Sequence, residues 1–307
     1  MTLDRTTPPN PWASGWPQLA HSVGLLPTTP VALALSGGAD SVLLLNLIAR
    51  SVPRPRVLAI HVDHGLRGEE SDGDAAFCAR ACARLGVPFA LRTVELDGEG
   101  SNLEAVAREE RYKALIQAAS AQNMEVLVTG HHEDDALETL LMRWMRGTHL
   151  SGLAGLKAQR VLRVGTEREA KMEVVRPLRS MRREEVRRLL RDHGIDWRED
   201  SSNASSRFTR NRVRNELLPK IDEACEGKGL ENLRAFASAV ENLEEELAGR
   251  TAHLSWTPPA HAAASRSATE AGLGGTLPRS DVQRLAPPLQ RRALWRLLQE
   301  GTGSAPT

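Results

Sequence analysis

The 307-residue chain has few cysteines, no long apolar run and almost no excess of charge of either sign. Each shortage excludes something. Its three cysteines, Cys78, Cys82 and Cys225, cannot all pair with one another and form no C-x-x-C, so neither a disulfide framework nor a cysteine zinc site is expected. No window approaches the ~18 consecutive apolar residues of a membrane helix. The opening MTLDRTTPPNPWASGW carries no charged-then-apolar export pattern and no basic amphipathic one, so a cytoplasmic location is the expectation. Lys+Arg 40 against Asp+Glu 39 leaves +1, a total that by itself points to no polyanionic partner. No internal repeat of fixed period is present. What remains is an ordinary globular composition, 41% hydrophobic and 26% charged, with length enough for about two domains.

From about residue 31 to 150, short apolar runs alternate with longer periodic ones, the pattern of βαβ units around a parallel sheet. Strands are expected at 31–35, 57–61, 89–94 and 126–129, mostly apolar as strands covered on both faces are. Helices are expected at 41–50, 72–85, 102–122 and 133–146, the third opened by a capping box of Ser101 and Glu104. A short hairpin is expected within 153–175, ended by Pro177, then a helix capped by Ser180 and stopped at Gly194, then an irregular loop over 196–215. Helices at 230–247 and 288–298 flank an Ala/Ser/Pro/Gly-rich connection, 251–280, expected to be mobile. The fold class is α/β, a doubly wound, mostly parallel sheet with a smaller C-terminal helical domain. The expected divisions are an N-terminal extension with a first helix (1–30), a catalytic domain (31–219) and a helical domain (220–307).

The strongest chemical signal is Ser36-Gly37-Gly38-Ala39-Asp40-Ser41, set between a strand and a helix. Two glycines permit a tight turn that aims backbone N–H groups at an anion, and the helix N-terminus adds its positive dipole end. The lysine of the ordinary P-loop and the third glycine of the dinucleotide fingerprint are both missing. The loop resembles the pyrophosphate loop of the N-type ATP pyrophosphatases, which split ATP into AMP and pyrophosphate. A second cluster, Gly130-His131-His132-Glu133-Asp134-Asp135-Ala136-Leu137-Glu138-Thr139, also follows a strand. Placed on a helix, His131, Asp135 and Glu138 would share one face, and carboxylates beside a phosphate cradle suit Mg²⁺. Zinc is disfavoured because adjacent His131 and His132 point to different faces. In the third, His61-Val62-Asp63-His64-Gly65-Leu66-Arg67, His61 ends a strand at the edge where open α/β sheets bind ligands. It is open to two readings, a satisfied structural residue or an ATP contact.

Together with NLEAVAREERY (102–112), RPL (176–178), WREDSSN (197–203) and TRNRVRNELLP (209–219), these motifs resemble the tRNA(Ile)-lysidine synthetase family. The resemblance is strong over about 31–219 and weak beyond. It implies an adenine nucleotide α-hydrolase-like fold and an ATP-dependent ligation of L-lysine to C2 of the wobble cytidine of tRNA(Ile) with a CAU anticodon, releasing pyrophosphate and AMP. By that resemblance Ser36, Gly37, Gly38, Ala39, Asp40, Ser41 and His61 bind ATP. Asp40 and Asp135 ligate Mg²⁺, and His131 assists at the reacting phosphate. Arg108 or Arg111, and Arg210 or Arg212, neutralise charge on the α-phosphate, while Asp63, Glu138 or Asp200 could meet the lysine amine. The competing readings are a tRNA thiolase, an amide-forming pyrophosphatase and a non-catalytic nucleotide-binding RNA module.

The near-zero charge is a cancellation. Residues 151–220 hold 18 Lys+Arg against 10 Asp+Glu, a surplus of +8, and the remainder carries −7. Arg176, Arg179, Arg183, Arg187, Arg207 and Arg214 are therefore candidate tRNA contacts. No membrane partner is expected, and a homodimer is compatible with a sequence that does not fix the oligomeric state.

Overall fold

A computed structural model describes residues 11–63, 69–94, 103–148, 150–154, 158–164, 170–199, 209–254 and 279–302. In chain order the strands are β1 (Val31–Ala34), β2 (Val57–Asp63), β3 (Phe89–Thr93), β4 (Val126–Val128), β5 (Gln159–Val164) and β6 (Ala170–Val175). The helices are α1 (Pro11–Ser22), α2 (Ala39–Ala49), α3 (Glu69–Leu85), α4 (Leu103–Ser120), α5 (Glu133–Arg146), α6 (Leu150–Leu153), α7 (Arg183–Asp192), α8 (Thr209–Arg212), α9 (Leu218–Ala224), α10 (Gly229–Thr251), α11 (Arg279–Gln283) and α12 (Pro287–Thr302).

The six strands run in the order β3-β2-β1-β4-β6-β5, all neighbours parallel except the antiparallel β5–β6 edge. Alternation of side chains sends the central strands' apolar residues to both faces. Val31, Leu33, Val57, Ala59, Val126 and Val128 pack with α1, α2, α3 and α7, while Ala32, Leu58, Ile60 and Leu127 pack with α4. This double covering is why these strands read as continuous apolar runs. Helix α2 is buried nearly all round, from Ala39 to Ala49, and its one amide, Asn46, satisfies itself by donating to the Val42 carbonyl at 2.9 Å.

The chain divides into two compact units, Met1–Thr139 with Leu156–Lys220, and Leu140–Gly155 with Ile221–Thr307. The first holds the sheet. Residues 11–30, set apart in the sequence reading, contribute Trp12, Trp16, Ala20, Val23 and Leu25 to its core. In the second, Leu254, Ala293 and Leu297 form a small core, and buried Glu244 receives Arg292 Nε at 3.2 Å while Arg292 Nη1 donates to Thr251 at 2.8 Å.

Three expectations are corrected. Ser180 does not cap α7: Pro177–Ser180 form a 3₁₀ turn, and the helix starts at Arg183, where the Arg182 amide donates to the Glu185 carboxylate at 2.7 Å. The loop placed at 196–215 becomes helical from Thr209, with a π-helical turn at Val213–Leu217. Helix α5 begins at Glu133, so His131 precedes it rather than sharing its face. The Ser101 cap and residues 255–278 of the connection lie outside the described residues. Among the described residues no helix is long and apolar enough to cross a membrane.

Candidate active site

Strand β1 lies between β2, reached directly through α2, and β4, reached only after the chain has built β3 and α4. Connections thus leave its two sides in opposite senses, the arrangement that opens a ligand crevice at the carboxyl ends of an open sheet. A cavity of about 660 Å³ occupies that place, lined by Ser36, Gly38–Ser41, His61, Asp63, Arg108, Arg111, Tyr112, Gly130–His132, Asp135 and arginines of the 183–214 segment.

The 36–41 loop is a built turn. Gly37 has φ +88, in the region that a Cβ strains. Ser41 Oγ donates to the Gly38 carbonyl at 3.0 Å and accepts the Ser36 amide at 3.2 Å. Gly38 then caps α2, leaving the first-turn amides of Ala39, Asp40 and Ser41 without partners inside the helix. Gly130 closes the loop from behind: a Cβ there would lie 3.0 Å from both Asp40 Cβ and the Ser41 amide nitrogen, so a glycine is what lets β4 end against the cradle.

Asp40 Oδ1 is buried with no hydrogen-bond partner, and Oδ2 stands 3.8 Å from His132 Nε2. Burial is the main reason its pKa is raised; His132 opposes this and Asp135 adds to it. A buried carboxylate oxygen with nothing to accept is costly, and a hard cation is the partner that fits it. Asp135 is less open. Its Oδ2 accepts the His132 amide at 3.0 Å, and its Oδ1 accepts Arg210 at 3.0 Å and Arg214 at 3.5 Å. Burial would raise its pKa, yet His132, Arg210, His131 and that amide outweigh burial and hold it at about 2. His131 shares a 3.0 Å hydrogen bond with Thr129 Oγ1. Burial, reinforced by Arg176, Arg108 and Arg210 and opposed by Asp135, lowers its pKa to about 3, so it is a neutral imidazole at physiological pH.

Beneath the wall, fully buried Glu138 gathers three arginines: Arg183 at 3.1 Å, Arg210 Nε at 2.7 Å and Arg214 Nε at 2.6 Å. The sequence reading offered Glu138 to an incoming amine; here both its oxygens are already taken. Arg108 and Arg111 differ from these. Each lines the cavity, Arg108 lies 5.2 Å from the Tyr112 ring centroid, and neither has a carboxylate partner among the described residues. Burial first, and the Arg108 charge second, pull the Arg111 pKa below the ordinary arginine value. Two crowded, unpaired guanidinium groups are a place for an anion.

Other expected residues are placed as follows. His61 lines the cavity, but its Nδ1 is spent on the Leu35 carbonyl at 2.8 Å, so its structural role is present in any case. Arg212 is exposed and outside the cavity lining. Of the arginines assigned to tRNA, Arg176 is buried and Arg179 half-buried, so burial takes Arg176 off any RNA-facing surface. Arg183, Arg187 and Arg214 face the cavity instead. Arg207 and Asp200 lie outside the described residues. Sequence reasoning missed Asp74 and Arg198, which line the cavity and pair at 2.7 Å; no local pattern joins residues so far apart.

Residues 17–221 match the family model described as PP-loop domain. The chain is 39% identical over 225 residues to a tRNA(Ile)-lysidine synthase of Solibacter usitatus, covering 73% of this chain and 48% of that one. It is 40% identical over 192 residues to a tRNA(Ile)-lysidine synthase of Pseudomonas fluorescens, covering 62% and 41%. The chain therefore spans about half or less of the length of these relatives. Among solved structures, the U34-tRNA thiolase NcsA from Methanococcus maripaludis with its [4Fe-4S] cluster superposes with a TM-score of 0.57 at 18% identity, covering 74% of this chain and 76% of that one, a likeness of fold. With the strand-loop-helix cradle at 36–41, the parallel sheet and the match over 17–221, the chain belongs to the PP-loop domain family.

Proposed function

We propose that the chain carries the ATP-dependent ligation of L-lysine to C2 of the wobble cytidine of tRNA(Ile) with a CAU anticodon, giving lysidine through an adenylated tRNA. The observation that carries the reading is the pairing, in one cavity, of the 36–41 cradle with the unpaired guanidinium groups of Arg108 and Arg111. The cradle's amides and the α2 dipole take the β- and γ-phosphates. Arg108 and Arg111 offset the charge that builds on the α-phosphate as the cytidine O2 attacks it and pyrophosphate leaves. The lysine ε-amine then attacks C2, the C2–O2 bond breaks, and AMP departs with that oxygen. His131, neutral at pH 7, serves as a hydrogen-bonding group at the reacting phosphate rather than as a cation. Mg²⁺ would be held by Asp40, through its unpartnered Oδ1, and by Asp135; when bound it would supply charge neutralisation to the phosphates. Arg210 can join only by loosening its bonds to Asp135 and Glu138.

Sulfur transfer is the weaker reading. Cys78 and Cys82 are buried on α3, and burial pushes both thiols up to about 12, so neither offers a reactive thiolate, and the exposed Cys225 is not among the residues that line the cavity. The deciding experiment is mass analysis of nucleosides from tRNA(Ile) incubated with the chain, ATP and lysine. A cytidine heavier by one lysine less one water, with AMP released only when tRNA is present, is the expected result. AMP formation that ignores tRNA would overturn it.

A further inference from the structure

We propose that residues 197–199 form a strap that sets the orientation of the phosphate loop, with Arg198 and Asp74 as its positioning residues. The Arg198 amide donates to the Gly37 carbonyl at 2.9 Å. Because the peptide is planar and trans, holding that carbonyl also turns the Gly38 N–H to the opposite side, and Gly38, unlike Gly37, lines the cavity. The strap thereby keeps a carbonyl dipole away from the place where the nucleotide's phosphates are read to sit and turns toward them an amide whose own bond is a long one, 3.4 Å to Ser36 Oγ. The Arg198 stem also packs on the loop: a Cβ on Gly37 would meet Arg198 Cγ at 3.5 Å on one side and Cys78 Sγ at 3.3 Å on the other.

Both ends of the strap are tied. Arg198 Nε donates to Asp74 on α3 at 2.7 Å, across 124 residues of chain. Glu199 accepts the Trp197 indole N–H at 2.8 Å and Arg187 of α7 at 3.1 Å. Helices α3 and α7 thus hold the loop between them through a segment with no regular structure of its own.

This rests on the nucleotide-site reading but not on the identity of the tRNA product, so the test uses nucleotide binding by the full chain without tRNA. ATP and AMP affinities are measured calorimetrically, with Mg²⁺, for Asp74→Ala, Asp74→Asn, Arg198→Ala and the Asp74→Ala/Arg198→Ala double variant, alongside thermal melting. A half-exposed charge pair predicts a loss of roughly three- to fivefold in ATP affinity for each single variant. AMP, which lacks the phosphates that the loop serves, keeps its affinity, and the double variant is no worse than the poorer single one. Additive losses, equal losses of ATP and AMP, or unchanged ATP affinity would each overturn the strap. A loss with Arg198→Ala alone would make Arg198 a direct ligand and overturn it too. Wild-type chain that binds no ATP would overturn both the strap and the nucleotide-site reading.

Discussion

At the scale of single residues, the site is governed by which charges have partners. Glu138 holds three arginines and Asp135 shares two of them, whereas Asp40 Oδ1 has no hydrogen-bond partner and Arg108 and Arg111 have no carboxylate partner among the described residues. His131 illustrates how burial sets a protonation state. Its folded pKa of about 3 lies below the ordinary 6.5, so between these values the unfolded chain binds a proton that the folded one does not. The stability it contributes is complete above pH 6.5 and is lost as the pH falls toward 3. His131→Gln removes that titration, so between pH 7 and pH 5 the variant should lose about 1 to 2 kcal/mol less stability than wild type. Urea unfolding at the two pH values measures this; equal losses would assign the acid sensitivity elsewhere.

Elements were legible in the sequence where burial imposed a pattern. Strands β1, β2 and β4 are covered on both faces and read as apolar runs, and the helix expected over 133–146, after the fourth strand, is α5 at Glu133–Arg146. The Thr209–Leu217 helical stretch was not, because Arg210 and Arg214 point to carboxylates 72 to 79 residues away and leave little apolar period. Contacts of that kind have no local signature. The cradle itself was legible, but not what presses on it from the β4–α5 junction. Gly130→Ala places a methyl group 3.0 Å from the Ser41 backbone nitrogen and Asp40 Cβ, and overpacking of this sort costs about 1–3 kcal/mol. At Gly38 an added Cβ meets only Ser36 Oγ, at 3.5 Å. Urea unfolding of the two variants should therefore separate them, with Gly38→Ala close to wild type; equal stabilities would show that the junction yields.

For the whole molecule, the central surplus of positive charge divides in a way that the sequence could not reveal. Arg183, Arg187, Arg210 and Arg214 turn into the cavity and Arg176 is buried, while Arg182, Arg188, Arg191 and Arg212 are exposed. Arg191 pairs with Glu184 and Arg182 approaches Glu133 at 3.7 Å, which leaves Arg188 and Arg212 as the exposed members with no acidic partner among the described residues. On the proposed function, one segment thus faces two polyanions, a nucleotide inward and RNA outward. The logarithm of tRNA affinity should fall linearly with the logarithm of salt concentration, and Arg188→Ala should make that slope shallower by about 0.7–0.9 while ATP affinity stays as it was. Filter binding across a salt series reads the slope; an unchanged one would remove Arg188 from the RNA surface.

The strap has an optical consequence. Trp12 and Trp16 are sealed in the core and Trp144 stands in solvent, whereas the Trp197 indole lines the cavity with its N–H on Glu199. Its emission depends on the polarity and the charges around it, and both change when a polyphosphate displaces water from that wall. The chain therefore carries its own fluorophore in the wall of the cavity, and a Trp197→Phe variant would serve as the blank against which the signal is read.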